Sequence, residues 1–256
     1  LWHHHFGRGL VPTPNDFGKQ GQPSSHPELL DYLALRFIES GWSLKAMHRM
    51  IVTSRTYQLA GQGSGVRGQE SGDRAQAELF GRFRRRRLDA ESLRDTLLVL
   101  GGNLDESVGG EHPFPPQTKW DFTQHKPFKA VYDTNRRSVY LMTQRIQRHP
   151  LMAIFDGPDT GASTGSRITS TTTLQALYFL NDPFVHEQAA RLAARLQQER
   201  SGDAERIERA YQLPFARPPT TDEAQLGLSY LAKAGDAAWE SYIRSLLRTN
   251  EFVYVE

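Results

Sequence analysis

Asp182-Pro183-Phe184-Val185-His186-Glu187-Gln188-Ala189-Ala190-Arg191-Leu192-Ala193-Ala194-Arg195-Leu196-Gln197-Gln198-Glu199 is the stretch that decides the fold class. Asp before Pro is a helix start, because the carboxylate accepts from an orphan amide and Pro already holds a helical φ. Val185, Ala189, Leu192 and Leu196 then recur at helical spacing and form one apolar face. The same reading extends outward in both directions. It predicts helices at roughly 148–155, 172–181, 203–212, 221–234 and 237–248, with a capping box at Thr220-Thr221-Asp222-Glu223 and a start at Asp236.

Upstream, Asp89-Ala90-Glu91 opens a helix carrying Leu93, Leu97 and Leu100, closed by Gly101-Gly102. Nearer the start, Ser25-His26-Pro27-Glu28 reads as a capping box for a helix with Leu29, Leu30, Leu33 and Phe37, ending at Gly41. Ser43 opens its partner, with Leu44, Met47 and Ile51 on one stripe, running to about Leu59 as the second arm of a helical hairpin. The segment up to Gly21 is rich in Gly and Pro and reads as structured loop. Residues 103–135 keep no period but carry Phe114, Trp120, Phe122, Phe128 and Tyr132, which favours an ordered irregular loop. Arg137–Met142 reads as a short strand. The expected organisation is a loop plus helical hairpin over 1–60, a flexible linker over 61–72, and a helical region over 73–256. The fold class is mainly α, a multi-helix domain with long irregular loops and at most a small β element.

Composition excludes several kinds of chemistry. The chain has 256 residues and no Cys, so disulfides, thiolate nucleophiles, Cys-ligated zinc, iron–sulfur clusters and covalent c-type haem attachment are ruled out within it. Thirty-one basic and 29 acidic side chains nearly cancel, which points to no nucleic-acid partner. No apolar run is long enough for a membrane span. The chain opens at Leu1 without Met or a signal peptide and is expected to be part of a longer protein.

Candidate functional residues fall into four groups. His3 and His5, with Asp16 and His26, have the residue types of a metal site, and in an extended segment the two imidazoles would share a face. The alternative is that they cap loops or stack on Trp2. Asp89, Glu91 and a histidine such as His4 are candidate catalytic acid/base groups; Glu91 and Asp95 lie one helical turn apart and share a face, and the second carboxylate that glycoside chemistry needs across the sugar could come from Asp16, Asp121, Asp133 or Asp156. The competing reading makes Asp89 a helix cap and pairs Glu91, Arg94 and Asp95 with the Arg84–Arg87 run. Arg137 and Arg167, with Arg136, have the geometry to clamp a carboxylate or sulfate, or simply to form ion pairs. Trp120 and Phe122, with Phe128 and Tyr132, are the candidate binding platform for a sugar or a protein, or pins for the loop. Phosphate loops, serine-nucleophile elbows and calcium loops are absent from the motifs.

These residues assemble into a pattern. Trp2–Val11 (WHHHFGRGLV), Thr13–Gly18 (TPNDFG), His26–Asp31 (HPELLD), Gly41–Lys45 (GWSLK) and Arg49–Ser54 (RMIVTS) form one block. Arg86–Glu91 (RRLDAE) with Arg94-Asp95, then Arg136–Tyr140 (RRSVY), Phe155–Asp159 (FDGPD), Gln175-Ala176-Leu177, Leu180–Phe184 (LNDPF) and Asn250-Glu251-Phe252 continue it. The chain resembles the C-terminal domain of unknown function of planctomycete cytochrome-c-associated exported proteins, along nearly its whole length. It departs at Thr171-Thr172-Thr173, where a Pro is expected, and in the Gly-rich stretch 61–72. The resemblance implies a helical fold, an exported location at the periplasm or cell surface, and upstream domains of the same polypeptide as partners. It implies no cofactor in this chain and places any c-type haem in an upstream domain. It implies no reaction. Two functions remain open: a binding or interaction module docking on upstream domains or a glycan, and part of an exported polysaccharide-active enzyme, hydrolase or cytochrome-linked dehydrogenase.

Overall fold

The computed structural model describes residues 1–59, 79–81, 85–110, 134–143, 145, 148–235 and 237–255. Their contacts divide the chain into two units, residues 1–86 with 254–256, and residues 87–253.

The first unit begins with a helix where a loop was expected. Trp2 and Phe6, four residues apart, stack at 4.2 Å, and both pack on Phe80. That staple holds α1, Trp2–Phe6, which Gly7 closes in the left-handed conformation with its N–H on the His3 carbonyl. Next comes α2, Pro27–Glu39, whose N-cap is His26 rather than Ser25. Ser25 is used elsewhere, since both its N–H and its hydroxyl donate to the Leu10 carbonyl at 2.8 and 3.2 Å. The turn places Gly41 and Trp42 consecutively at positive φ, 66° and 62°. Ser43 then caps α3, Leu44–Val52, through the Ala46 amide. This helix stops well short of Leu59. Thr53 and Ser54 hydroxyls return to the carbonyls of Arg49 and Ile51, and such bonds compete with helix continuation. The unit has a small core of Phe6, Leu10, Ile51 and Phe80, flanked by Trp2, Leu29, Leu33 and Tyr57. The expected linker 61–72 lies outside the described residues.

A two-residue strand, β1 (Arg86–Arg87), leads into α4, Ala90–Leu100. Asp89 caps α4 by accepting from the Ser92 amide at 2.7 Å, as its position predicts. The expected strand at 137–142 is instead a 3₁₀ turn over Ser138–Tyr140. The cause is local: the Ser138 N–H and hydroxyl both bond to Asp95 of α4, so the backbone is tied to a helix side chain and not to a neighbouring strand.

The remaining helices are α5 (Pro150–Ile154), α6 (Thr173–Asn181), α7 (Pro183–Glu199), α8 (Asp203–Phe215), α9 (Thr221–Lys233), α10 (Ala238–Leu247) and α11 (Asn250–Val253), before β2 (Tyr254–Val255), which pairs with β1. Asp182 caps α7 through the Phe184 amide, and Thr220 with Glu223 closes a full capping box on α9, as read from sequence. The box of Thr172 and Gln175 on α6 was not anticipated. Asp236, the expected start of α10, lies outside the described residues.

The apolar face of α7 is the spine of this unit. Val185, Ala189, Leu192 and Leu196 are all buried and meet Leu93 and Leu97 of α4 and Ile243 and Leu247 of α10. Each such leucine, fully removed from water, contributes on the order of 2 kcal/mol. Gly101, at the end of α4, has an ordinary φ of −70°. A Cβ there would lie 2.2 Å from the Gln188 side-chain oxygen of α7, so a side chain at this position would have to displace the buried end of Gln188. The fold is mainly α, with one two-stranded sheet among the described residues.

Candidate functional site

The polar face of α4 carries the densest chemistry. Asp89 is occupied as the cap. Glu91 forms a bidentate pair with Arg167 at 2.6 and 2.8 Å. That hydrogen bond raises the Arg167 guanidinium above its ordinary value against an opposing effect of burial. Asp95, one turn on, turns to Ser138. The two carboxylates that share a face in sequence are thus committed to different partners. Arg94, whose side chain is 4% exposed, sends one nitrogen to the Arg136 carbonyl at 3.0 Å and the Ser138 hydroxyl at 3.3 Å, and the other to the Thr134 carbonyl. Arg136 is buried, donates to the carbonyls of Ser107 and Gly109, and lies 4.2 Å over the Tyr140 ring. Arg137 is exposed.

A second network surrounds Arg87. Its guanidinium donates to the Ser170 carbonyl, the Phe155 carbonyl and Asp156 at 3.0, 3.0 and 2.7 Å. Ser170 returns its N–H and hydroxyl to the same carboxylate, and Gln175 joins Ser170 to the Ile154 carbonyl. Burial pushes the Asp156 carboxyl up, but the Ser170 bonds and Arg87 outweigh it and leave it below the ordinary range. Asp156 itself sits at φ 58°, uncommon for a residue with a side chain, and this network fixes it there.

Two cavities are formed by described residues of this unit. The larger, about 380 Å³, is lined by Arg94, Thr134, Asn135, His149, Pro150, Leu151, Tyr178, Asp182, Pro183, Phe184, Glu187 and Gln188. The smaller, about 60 Å³, includes Glu91, Ser138, Met142, Arg148, His149 and Met152. His149 lines both. Tyr178, Asp182, Phe184 and Glu187 were not singled out from sequence. Asp182 is legible in sequence only as a helix start, and it is the fold that brings the four to one space.

The candidate histidines His3, His4, His5 and His26 belong to the first unit. On α1, His3 and His5 are separated by about 200° around the helix axis, so they do not share a face as an extended segment would have given. His5 is hydrogen-bonded to His48 at 2.7 Å and lies against Tyr57. Burial, then His48 and Arg86, lowers its pKa. Burial, then His4, lowers that of His3. The His4 carbonyl accepts from Arg86, and its ring packs edge-on to His3. Asp16 accepts from the Gly18 amide within its own loop, and His26 packs on Phe80 and bonds the Ser25 hydroxyl. Among the described residues no three His, Asp or Glu side chains come together as metal ligands. Trp120, Phe122, Phe128, Tyr132, Asp121, Asp133 and Arg84 of the basic run lie outside the described residues. No helix among the described residues is long and apolar enough to cross a membrane.

No residue of α2 is buried, and its outer side with the following turn exposes Leu35, Ile38, Trp42 and Leu44 at 60%, 53%, 65% and 55%.

No curated protein and no solved structure matches the chain. A family does, over residues 1–231: PSD1, described as a protein of unknown function (DUF1553). With that match running from α1 into α9 and taking in the α4 networks and both cavities, the chain belongs to the PSD1 (DUF1553) family.

Proposed function

We propose that the chain is a binding module of an exported, cytochrome-c-associated protein of planctomycete type, which docks through its α2–α3 hairpin onto other domains of the same polypeptide. The observation that carries this is the apolar outer side of that hairpin. Leu35, Ile38, Trp42 and Leu44 are large apolar side chains open to solvent and close together in sequence, and clustered exposed apolar side chains mark interaction sites. Trp42 is the natural anchor. Aromatic side chains dominate interface energetics, and this one is held outward at a left-handed φ and braced edge-on by Phe37 at 5.1 Å. Any haem belongs to the partner domain. The polar groups support a binding role as well, since Asp89, Glu91, Asp95 and Asp156 are each engaged in a cap or pair.

The test is calorimetric titration of this chain with the separately produced upstream domains of its polypeptide. Binding is expected, with a loss of at least tenfold in affinity for the Leu35→Asp, Ile38→Asp double variant. An absence of binding, or binding indifferent to those changes, sinks the docking reading. Location is checked by fractionating the native cells, where a cytoplasmic protein contradicts export.

One observation favours a second reading, a polysaccharide-active enzyme. Glu91 and His149 line the same small cavity, which is the pairing an acid/base mechanism uses. Under that reading Glu91→Gln abolishes turnover on a polysaccharide, His4→Ala tests the remaining candidate, and full activity in both removes the assignment.

A further inference from the structure

The larger cavity of the second unit is built to accept hydrogen bonds. Asp182 gives one carboxylate oxygen to the Phe184 amide at 2.9 Å, and Glu187 gives one to Arg191 at 2.9 Å. The second oxygen of each has no partner among the described residues, and both side chains line the space. They stand on the first turns of α7, five residues apart, with the Phe184 ring between them in sequence and the buried Tyr178 ring on the preceding helix. The guanidinium of the lining, Arg94, lies 5.9 Å from the Phe184 ring centroid and is already engaged. Its nitrogens serve two carbonyls, a hydroxyl and Asp95 at 3.7 Å. An entering anion therefore meets two carboxylates beside a guanidinium already bonded to the protein.

The volume, about 380 Å³, falls within the range of small-molecule sites. Aromatic faces beside hydrogen-bond acceptors suit a ring that is apolar on its flat side and donates from its edge. The geometry points to a saccharide site in this cavity for neutral or amine-bearing sugars, with Asp182 and Glu187 receiving hydroxyl or ammonium protons and Tyr178 and Phe184 facing the ring. The inference rests on the binding-module reading but uses a different surface from the hairpin. It also reverses the expectation from Arg137 and Arg167 of a sulfated or carboxylated ligand: Arg167 is engaged by Glu91, and neither residue lines this cavity.

Charge-assisted bonds from an ammonium to a carboxylate are about twice as strong as neutral ones, so the amine sugar binds tighter than its neutral counterpart. The experiment titrates the whole chain with three disaccharides of similar size, a glucosamine dimer, cellobiose and a sulfated cellobiose, by calorimetry at low salt. The expected order is glucosamine dimer, then cellobiose, then no binding of the sulfated sugar. Asp182→Asn keeps the helix cap, because Asn caps as well as Asp, and Glu187→Gln keeps the shape. Each variant is expected to weaken the glucosamine dimer about tenfold and cellobiose less. Tighter binding of the sulfated sugar overturns the inference, as does binding of the amine unaffected by both substitutions. Silence of all three sugars overturns the site as well. The hairpin reading is then judged by its own titration with the upstream domains, so the two fail separately.

Discussion

Arg217 shows how much structure a single side chain organises. Its guanidinium is bidentate to Glu223 at 2.8 and 2.8 Å, bonds both oxygens of Glu251, and lies over the rings of Tyr211 and Phe215. The Arg217 pair, opposed by burial and aided by the Thr220 cap, holds Glu223 down at about 2. Because the folded value lies below the unfolded one near 4.5, this stabilisation is fully present above about pH 4.5 and disappears as pH falls toward 2. Glu223→Gln preserves the capping box, since Gln serves at that position, and removes the charge with one of the two oxygens that accept from Arg217. It is expected to cost about 1–2 kcal/mol at pH 7, after allowing for partial solvent screening, and almost nothing at pH 2. Urea unfolding at the two pH values measures both. At this scale the sequence was informative about caps, because Asp89, Asp182 and Thr220 use oxygens placed within three residues of their targets. It could not show that Glu91 faces Arg167, 76 residues away, or that Asp182 and Glu187 border one cavity. Those facts exist only once the chain has folded back on itself.

Among the elements, α2 and α7 are opposites. α7 buries Val185, Gln188, Ala189, Leu192, Ala193 and Leu196, while α2, despite seven large apolar residues, buries none. Opening free energy follows buried contacts, so the amides of α2 are expected to exchange with deuterium well before those of α7. Mass-spectrometric exchange on the isolated chain decides this, and equal protection of the two helices contradicts it. In the presence of a docked partner the difference should narrow. Helical period identified both helices correctly, but period alone cannot tell a face that is covered from one that awaits cover. The failures have similar local causes. Trp2-His3-His4-His5-Phe6 was read as loop because Gly and Pro follow it, yet the stacking of Trp2 on Phe6 and both on Phe80 is enough for one short turn of helix. Arg137–Met142 had the composition of a strand, but Asp95 captured its backbone first.

The molecule as a whole carries two separate hydrophobic clusters, one around Phe6 and Ile51, the other around Leu192 and Ile243. Two cores allow two cooperative transitions, and a single unfolding free energy then loses its meaning. Leu93→Ala leaves a hole in the larger core and is expected to destabilise residues 87–253 by about 2–5 kcal/mol. Exchange protection should fall in α7 and α10 and be kept in α3. Equal losses in α3 would show that the two units unfold together.

The uncovered hairpin has a last consequence, for how the chain behaves at high concentration. A surface presenting Leu35, Ile38, Trp42 and Leu44 to water attracts its own kind, and the near balance of 31 basic and 29 acidic side chains supplies little repulsion to oppose it. Excluded salts such as sulfate strengthen that attraction, so the isolated chain is expected to self-associate with rising salt, and on the docking proposal a bound partner domain would suppress that self-association.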